Sequence, residues 1–214
     1  GGIEAAVRAM GKHGEHAGVQ EAACKALTSM TASNAANQVK AGEAGGVEAA
    51  VRAMGQHGEH AGVQEAACKA LTSMTYSNAA NKVKAGEAGG VEAAVRAMGQ
   101  HGEHAGVQEA ACFSLRNVTY SNAANKVKAG EAGGVEAAVR AMGKHGEHAG
   151  VQEAACGALT SMTASNAANK VKAGEAGGVE AAVRAMGQHG EHAGVQEAAC
   201  KALTSMTYSN AANK

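Results

Sequence analysis

Ten histidines and five cysteines are the side chains of this chain best suited to bind metal or to react, and both recur at fixed intervals. The histidines come as His-Gly-Glu-His: His13/His16, His57/His60, His101/His104, His145/His148 and His189/His192. Imidazole and carboxylate are zinc ligands, yet a structural zinc site wants four groups converging in tetrahedral geometry. A pair on a glycine-rich turn has no such preset geometry. The expected role is to cap the flanking helices, and no metal is expected. The cysteines, Cys24, Cys68, Cys112, Cys156 and Cys200, occupy one equivalent place each. Equivalent places on stacked helices lie about 8–10 Å apart, whereas a disulfide needs Cα atoms within about 7 Å. The thiols should stay free as packing residues, which fits a reducing, cytoplasmic compartment.

No other constellation suggests catalysis. The sequence holds no nucleophile elbow, no phosphate-cradling glycine loop and no carboxylate pair outside the repeating pattern. Every polar residue recurs as an array, whereas an enzyme needs one asymmetric site. Neither an enzyme nor a cofactor is expected. Lys+Arg and Asp+Glu balance at 19 each, which argues against nucleic acid or a membrane surface as partner. There is no apolar run of about eighteen residues to span a bilayer, and GGIEAAVRAM does not read as a secretory signal. The first residue is Gly1 rather than Met, so a fragment or processed chain is expected.

The elements that must position these residues follow from one stretch, Val63 to Thr75. On a helix, Val63, Ala67, Leu71 and Met74 share one face, while Glu65, Lys69, Thr72 and Tyr76 lie opposite. Copies start at Val19, Val63, Val107, Val151 and Val195, a period of 44 residues. Such a period predicts a stacked array in which each unit buries its apolar stripe against a neighbour. The units are residues 1–44, 45–88, 89–132, 133–176 and 177–214. Each opens on Gly-Gly, suited to the left-handed turn between helices. A medium helix follows, Val47 to Gly55 in the second unit, with Glu48 placed to pair with Arg52. After the long helix comes a short one within Ser77 to Ala88, with Ser77 as N-cap and Val83 as its one large apolar residue. No strand pattern appears. The fold class is all-α, five three-helix repeats.

Two segments carry a family resemblance: ACFSLRNVT, Ala111 to Thr119, and NAANKVKAGEAGGVEAAV, Asn122 to Val139. They resemble the armadillo signature, an Ala-Leu-Arg-Asn-Leu-type helix, an Asn-rich turn and an E-A-G-G-[IV] junction. The likeness covers all five units and is greatest to the regular arrays of protist and algal proteins. It implies a right-handed α-solenoid whose long helices line a concave groove. There an aromatic residue and an Asn from successive repeats hold an extended peptide, and Phe113 and Asn117 occupy those places. The chain departs from the pattern in having no proline, and in carrying Ala at many Leu or Ile positions. A thin solenoid of moderate stability is expected, since Ala contributes little apolar area.

Differences between units point to a site. Lys25, Lys69, Phe113, Gly157 and Lys201 are equivalent, as are Thr28, Thr72, Arg116, Thr160 and Thr204. So are Ser29, Ser73, Asn117, Ser161 and Ser205, and Ala32, Tyr76, Tyr120, Ala164 and Tyr208. The candidate partner-binding face is therefore Phe113, Arg116, Asn117 and Tyr120, with Tyr76 and Lys69 alongside; drift on an exposed face is the competing reading. A non-enzymatic protein-interaction scaffold for a protein or extended peptide is expected. The alternatives are a structural array stacking head to tail with its own copies, and a designed consensus array. Residues 177–214 repeat residues 45–82 unchanged, the trace of a duplicated three-repeat block.

Overall fold

The computed structural model describes residues 1–213 as fourteen α-helices and one terminal 3-10 turn, Ala211–Asn213. The first unit is α1 (Gly2–Lys12), α2 (Ala17–Thr31) and α3 (Ala35–Glu43), and the second is α4 (Gly46–Gln56), α5 (Ala61–Thr75) and α6 (Ala79–Glu87). The third is α7 (Gly90–Gln100), α8 (Ala105–Thr119) and α9 (Ala123–Glu131). The fourth is α10 (Gly134–Lys144), α11 (Ala149–Thr163) and α12 (Ala167–Glu175), followed by α13 (Gly178–Gln188) and α14 (Ala193–Thr207). Lys214, the last residue of the fifth unit, lies outside the described residues. Among the described residues there is no strand, and no helix is long and apolar enough to cross a membrane.

The long helices stack side by side, and their apolar stripe forms the continuous core. Val63, Ala67, Leu71 and Met74 are fully buried, as are Val107, Ala111 and Leu115 of the next unit. Alanine at Ala66, Ala67 and Ala70 keeps this interface thin. The core therefore offers modest apolar area, and polar links across each joint assume much of the job.

Four such links recur. Asn81 is buried; its Nδ2 donates to Met74 O in its own unit and to Gln38 O in the preceding one, both at 2.8 Å. Asn125, Asn169 and Asn213 repeat this contact with Lys82 O, Lys126 O and Lys170 O. The first histidine of each turn reaches back: His57 Nε2 donates to Gly14 O at 2.7 Å, and His101, His145 and His189 do likewise. Lys84, Lys128 and Lys172 donate to Gly42 O, Gly86 O and Gly130 O. Finally, Ser73 Oγ meets Thr31 Oγ1 at 2.8 Å and donates to Thr28 O, a pattern repeated by Ser161 and Ser205. Each such bond contributes about 1 kcal/mol net and adds to the apolar contacts at the joint.

Several local expectations change. Asn78, not Ser77, caps the short helix, accepting from Asn81 N at 3.0 Å. Ser77 sits at φ 50°, the left-handed turn residue between α5 and α6. Only the first glycine of each pair is left-handed, Gly45 at φ 78°. The second starts the helix, and a Cβ on Gly46 would lie 2.9 Å from Ala41 O. Glu48 forms no ion pair with Arg52 among the described residues; its Oε2 is buried without a hydrogen-bond partner in the first turn of α4, where the helix dipole favours negative charge. Val83 is half exposed, and α6 is held instead by its buried Asn81, Ala85 and Gly86.

Candidate functional site

Three of the second histidines are used locally: Nδ1 of His60, His104 and His192 accepts from the backbone N–H of Val63, Val107 and Val195, whereas His16 and His148 make no side-chain cap bond. In the second, third and fifth units one ring nitrogen of each histidine therefore serves the fold. Among the described residues no three His, Cys, Asp or Glu side chains are grouped as metal ligands. Four thiols are buried and all five are free. Burial pushes the Cys68 thiol up to about 12, so it is not a ready nucleophile.

The site lies on the long helices. A groove of about 730 Å³ runs from the C-terminal ends of α5 and α8 across α11 to α14. Tyr76 and Tyr120 follow the last turns of α5 and α8 as C-cap residues, so their rings project from the helix ends and stay mostly exposed. Arg116 and Asn117 come from the last two turns of α8. Gly157 and Glu153 line the groove from α11, and Glu197 and Lys201 from α14.

Two lysines of the short helices close one edge. Lys82 Nζ donates to Tyr120 O at 3.0 Å and stands 5.0 Å from the Tyr120 ring centroid, a cation–π contact. Lys126 Nζ donates to Ala164 O at 2.7 Å. Burial lowers the pKa of both ammonium groups. Tyr76 has no such lysine, because Gln38 fills that place in the first unit and turns its amide to Thr31 O.

Asn117 breaks a ladder. Where Ser73, Ser161 and Ser205 bridge to the preceding unit, Asn117 Nδ2 donates to Phe113 O at 3.0 Å in its own helix. Its Oδ1 has no hydrogen bond among the described residues, and Asn117 is part of the groove lining.

Of the six residues singled out in the sequence, the groove gathers Tyr76, Arg116, Asn117 and Tyr120. Phe113 lies outside it. Its ring is half-buried against the core, because an aromatic side chain gains more by covering apolar surface than by standing in water. Lys69 also lies elsewhere, bonded to Glu65 Oε1 at 2.5 Å beside a smaller groove of about 290 Å³ that includes Glu21 and Lys25. Lys82, Lys126, Glu153, Gly157, Glu197 and Lys201 were not singled out as a site. Only Gly157 carried a signal, as the one glycine at its repeat position.

Solved structures define the architecture. Crystal structures of two engineered proteins match with TM-score 0.83, at 23% and 24% identity, over 95% of this chain and 80% and 78% of theirs. A designed armadillo repeat protein in complex with the peptide (KR)4 matches with TM-score 0.80 at 21% identity, covering 95% of this chain and 81% of that one. The fold is that of armadillo repeat proteins. Beta-catenin, from a structure concerned with its phosphorylation-controlled interaction with cadherin, superposes with TM-score 0.57 at 18% identity; 96% of this chain covers 45% of it. No family model and no curated protein matches the sequence. The armadillo likeness is thus one of fold, carried by the helix order and the stacked long helices.

Proposed function

We propose that this armadillo solenoid is a non-enzymatic interaction scaffold that takes an extended peptide into the groove between Tyr76 and Lys201. The observation that carries this reading is convergence: the side chains that set the third unit apart, Arg116 and Asn117, meet two exposed tyrosines in one groove. Tyrosine and arginine are the usual anchors of an interface. Asn117 Oδ1 offers an acceptor to a peptide N–H, the kind of group that holds an extended backbone. The designed armadillo protein bound to (KR)4 supports a peptide as ligand class for such an array. The five free thiols are consistent with a reducing compartment.

Selection from a displayed library of random twelve-residue peptides tests this. Enriched peptides are expected to lose affinity by about tenfold or more on the double variant Asn117→Ser/Tyr120→Ala, since an interface anchor contributes about 2 kcal/mol or more. Binders indifferent to both changes would overturn the assignment.

The end units support self-association as a second reading. Val183 of α13 is 55% exposed, and Leu203 is part-exposed, whereas the equivalent Leu71, Leu115 and Leu159 are buried. At the other end Ala22 and Ala26 are exposed where Ala66 and Ala70 are buried. These are the two faces of an ordinary joint, so an array ending at these units would stack head to tail with its own copies. Sedimentation across a concentration series is expected to show growing species; a constant monomer mass would refute stacking.

A further inference from the structure

At the position of Gly157 three other units carry a lysine, Lys25, Lys69 and Lys201, each bonded to the Glu four residues before it. Gly157 has no side chain, and the space is taken from the preceding unit. A Cβ on Gly157 would lie 2.9 Å from Arg116 Cδ and 3.3 Å from its Nε and Nη1. Arg116 therefore lies flat along the bare backbone of α11. In the other units its position holds Thr28, Thr72, Thr160 or Thr204, each with its hydroxyl bonded to its own helix. The two departures, Thr to Arg and Lys to Gly, fit one another sterically. Together they exchange an ion-paired ammonium for a guanidinium without a partner.

No neighbouring carboxylate bonds Arg116. Lys201 holds Glu197, whose carboxyl pKa is lowered chiefly by that bond and to a lesser degree by the charge of Arg116. Lys82 and Lys126 donate to the backbone carbonyls of Tyr120 and Ala164. Glu153 packs against Gly194 in the first turn of α14, where the helix dipole favours it. Arg116 makes no hydrogen bond or ion pair among the described residues, and it is exposed in the groove beside Asn117 and Tyr120.

We infer that Arg116, laid across Gly157, is the specificity-determining residue of the groove and receives a carboxylate side chain of an acidic peptide. The inference rests on the peptide-groove reading and names what that peptide carries. A guanidinium presents a planar fork of N–H donors that matches a carboxylate bidentately, which an ammonium cannot do. The formal net charge of the chain is +0, so attraction of an acidic peptide has to come from this local arrangement.

Fluorescence anisotropy with labelled (Glu)8, and with (Lys-Arg)4 as the opposite charge, tests the assignment at physiological salt. Arg116→Thr restores the residue of the other four units, so the variant keeps a fold-compatible side chain, checked by circular dichroism. It is expected to weaken (Glu)8 binding by about tenfold, and Arg116→Lys by several-fold, because charge is kept and the fork is lost. Lys12→Ala removes the same charge on α1, far along the array, and is expected to change nothing. Equal (Glu)8 binding by the wild-type chain and Arg116→Thr, or preference for (Lys-Arg)4, overturns the acidic assignment. The groove reading then still stands if display-selected peptides depend on Asn117 and Tyr120. If no selected peptide depends on those two residues, both readings fall.

Discussion

Asn125→Ala is expected to lower the stability of the array by about 3 kcal/mol, the largest loss from any single polar side chain considered. Asn125 is buried and donates to Val118 O at 3.0 Å and to Lys82 O at 2.8 Å. One side chain thus ties the long helix of its own unit to the short helix of the unit before. Alanine would leave Val118 O unsatisfied in the interior, at about 1–3 kcal/mol, and would remove the second bond that Lys82 O accepts beside its helical one, at about 1 kcal/mol. Gly86 marks how closely the amide fits, since a Cβ there would collide with Asn125 Oδ1. Asn37 provides the control: it donates to Met30 O alone, so Asn37→Ala is expected to cost less than half as much. Urea unfolding of the two variants gives the comparison. Equal small losses would mean that these carbonyls find water and that the joint is held by apolar contact.

The opposite effect is expected from four glycines that serve no turn. Gly55, Gly99, Gly143 and Gly187 lie in α4, α7, α10 and α13, are exposed, and have open space where a Cβ would project. None has positive φ. Alanine is favoured over glycine in a helix by up to about 1 kcal/mol, with less gained near a helix end. The sites are one unit apart and share no partner, so their effects should add to about 2–4 kcal/mol in the quadruple variant. A thermal scan would register this as a higher midpoint, and an unchanged midpoint would show that the ends of these helices are frayed in the folded protein.

The legible part of the fold was what periodicity controls. Val63, Ala67, Leu71 and Met74 read as a stripe and are the core, and the five-fold recurrence foretold the stack. What periodicity does not encode is which atoms meet across a joint. Asn81 was placed in the short helix with no partner named, yet its amide faces Gln38 O, because Gly42 opposite it has no side chain. The short-helix cap was misplaced by one residue, since Ser77 and Asn78 are both good caps and only backbone geometry separates them. Arg116 and Asn117 were singled out because they break the repeat, and they line the groove. Phe113 breaks it too but lies half-buried beside the groove, for a helical wheel assigns a face without saying that a large ring can fold back onto the core. Gly157 stood out only as the glycine among Lys25, Lys69, Phe113 and Lys201, and its partnership with Arg116 appears only when consecutive units are stacked.

The same stacking has a mechanical side. Pulled from its two ends, the chain carries load through its joints in series, so the joint with the fewest cross-links sets the yield force. The joint between the second and third units lacks the hydroxyl bridge that Ser73, Ser161 and Ser205 supply elsewhere, but it gains the bond from Lys82 to Tyr120 O that the first joint lacks. No one joint is therefore singled out as the weakest, and the units would let go at similar forces. Each unit that lets go would pay out about 150 Å of slack chain, 44 residues at roughly 3.3–3.6 Å apiece. The groove reaches from the second unit to the fifth, so a peptide lying in it would brace the joints it spans against the pull.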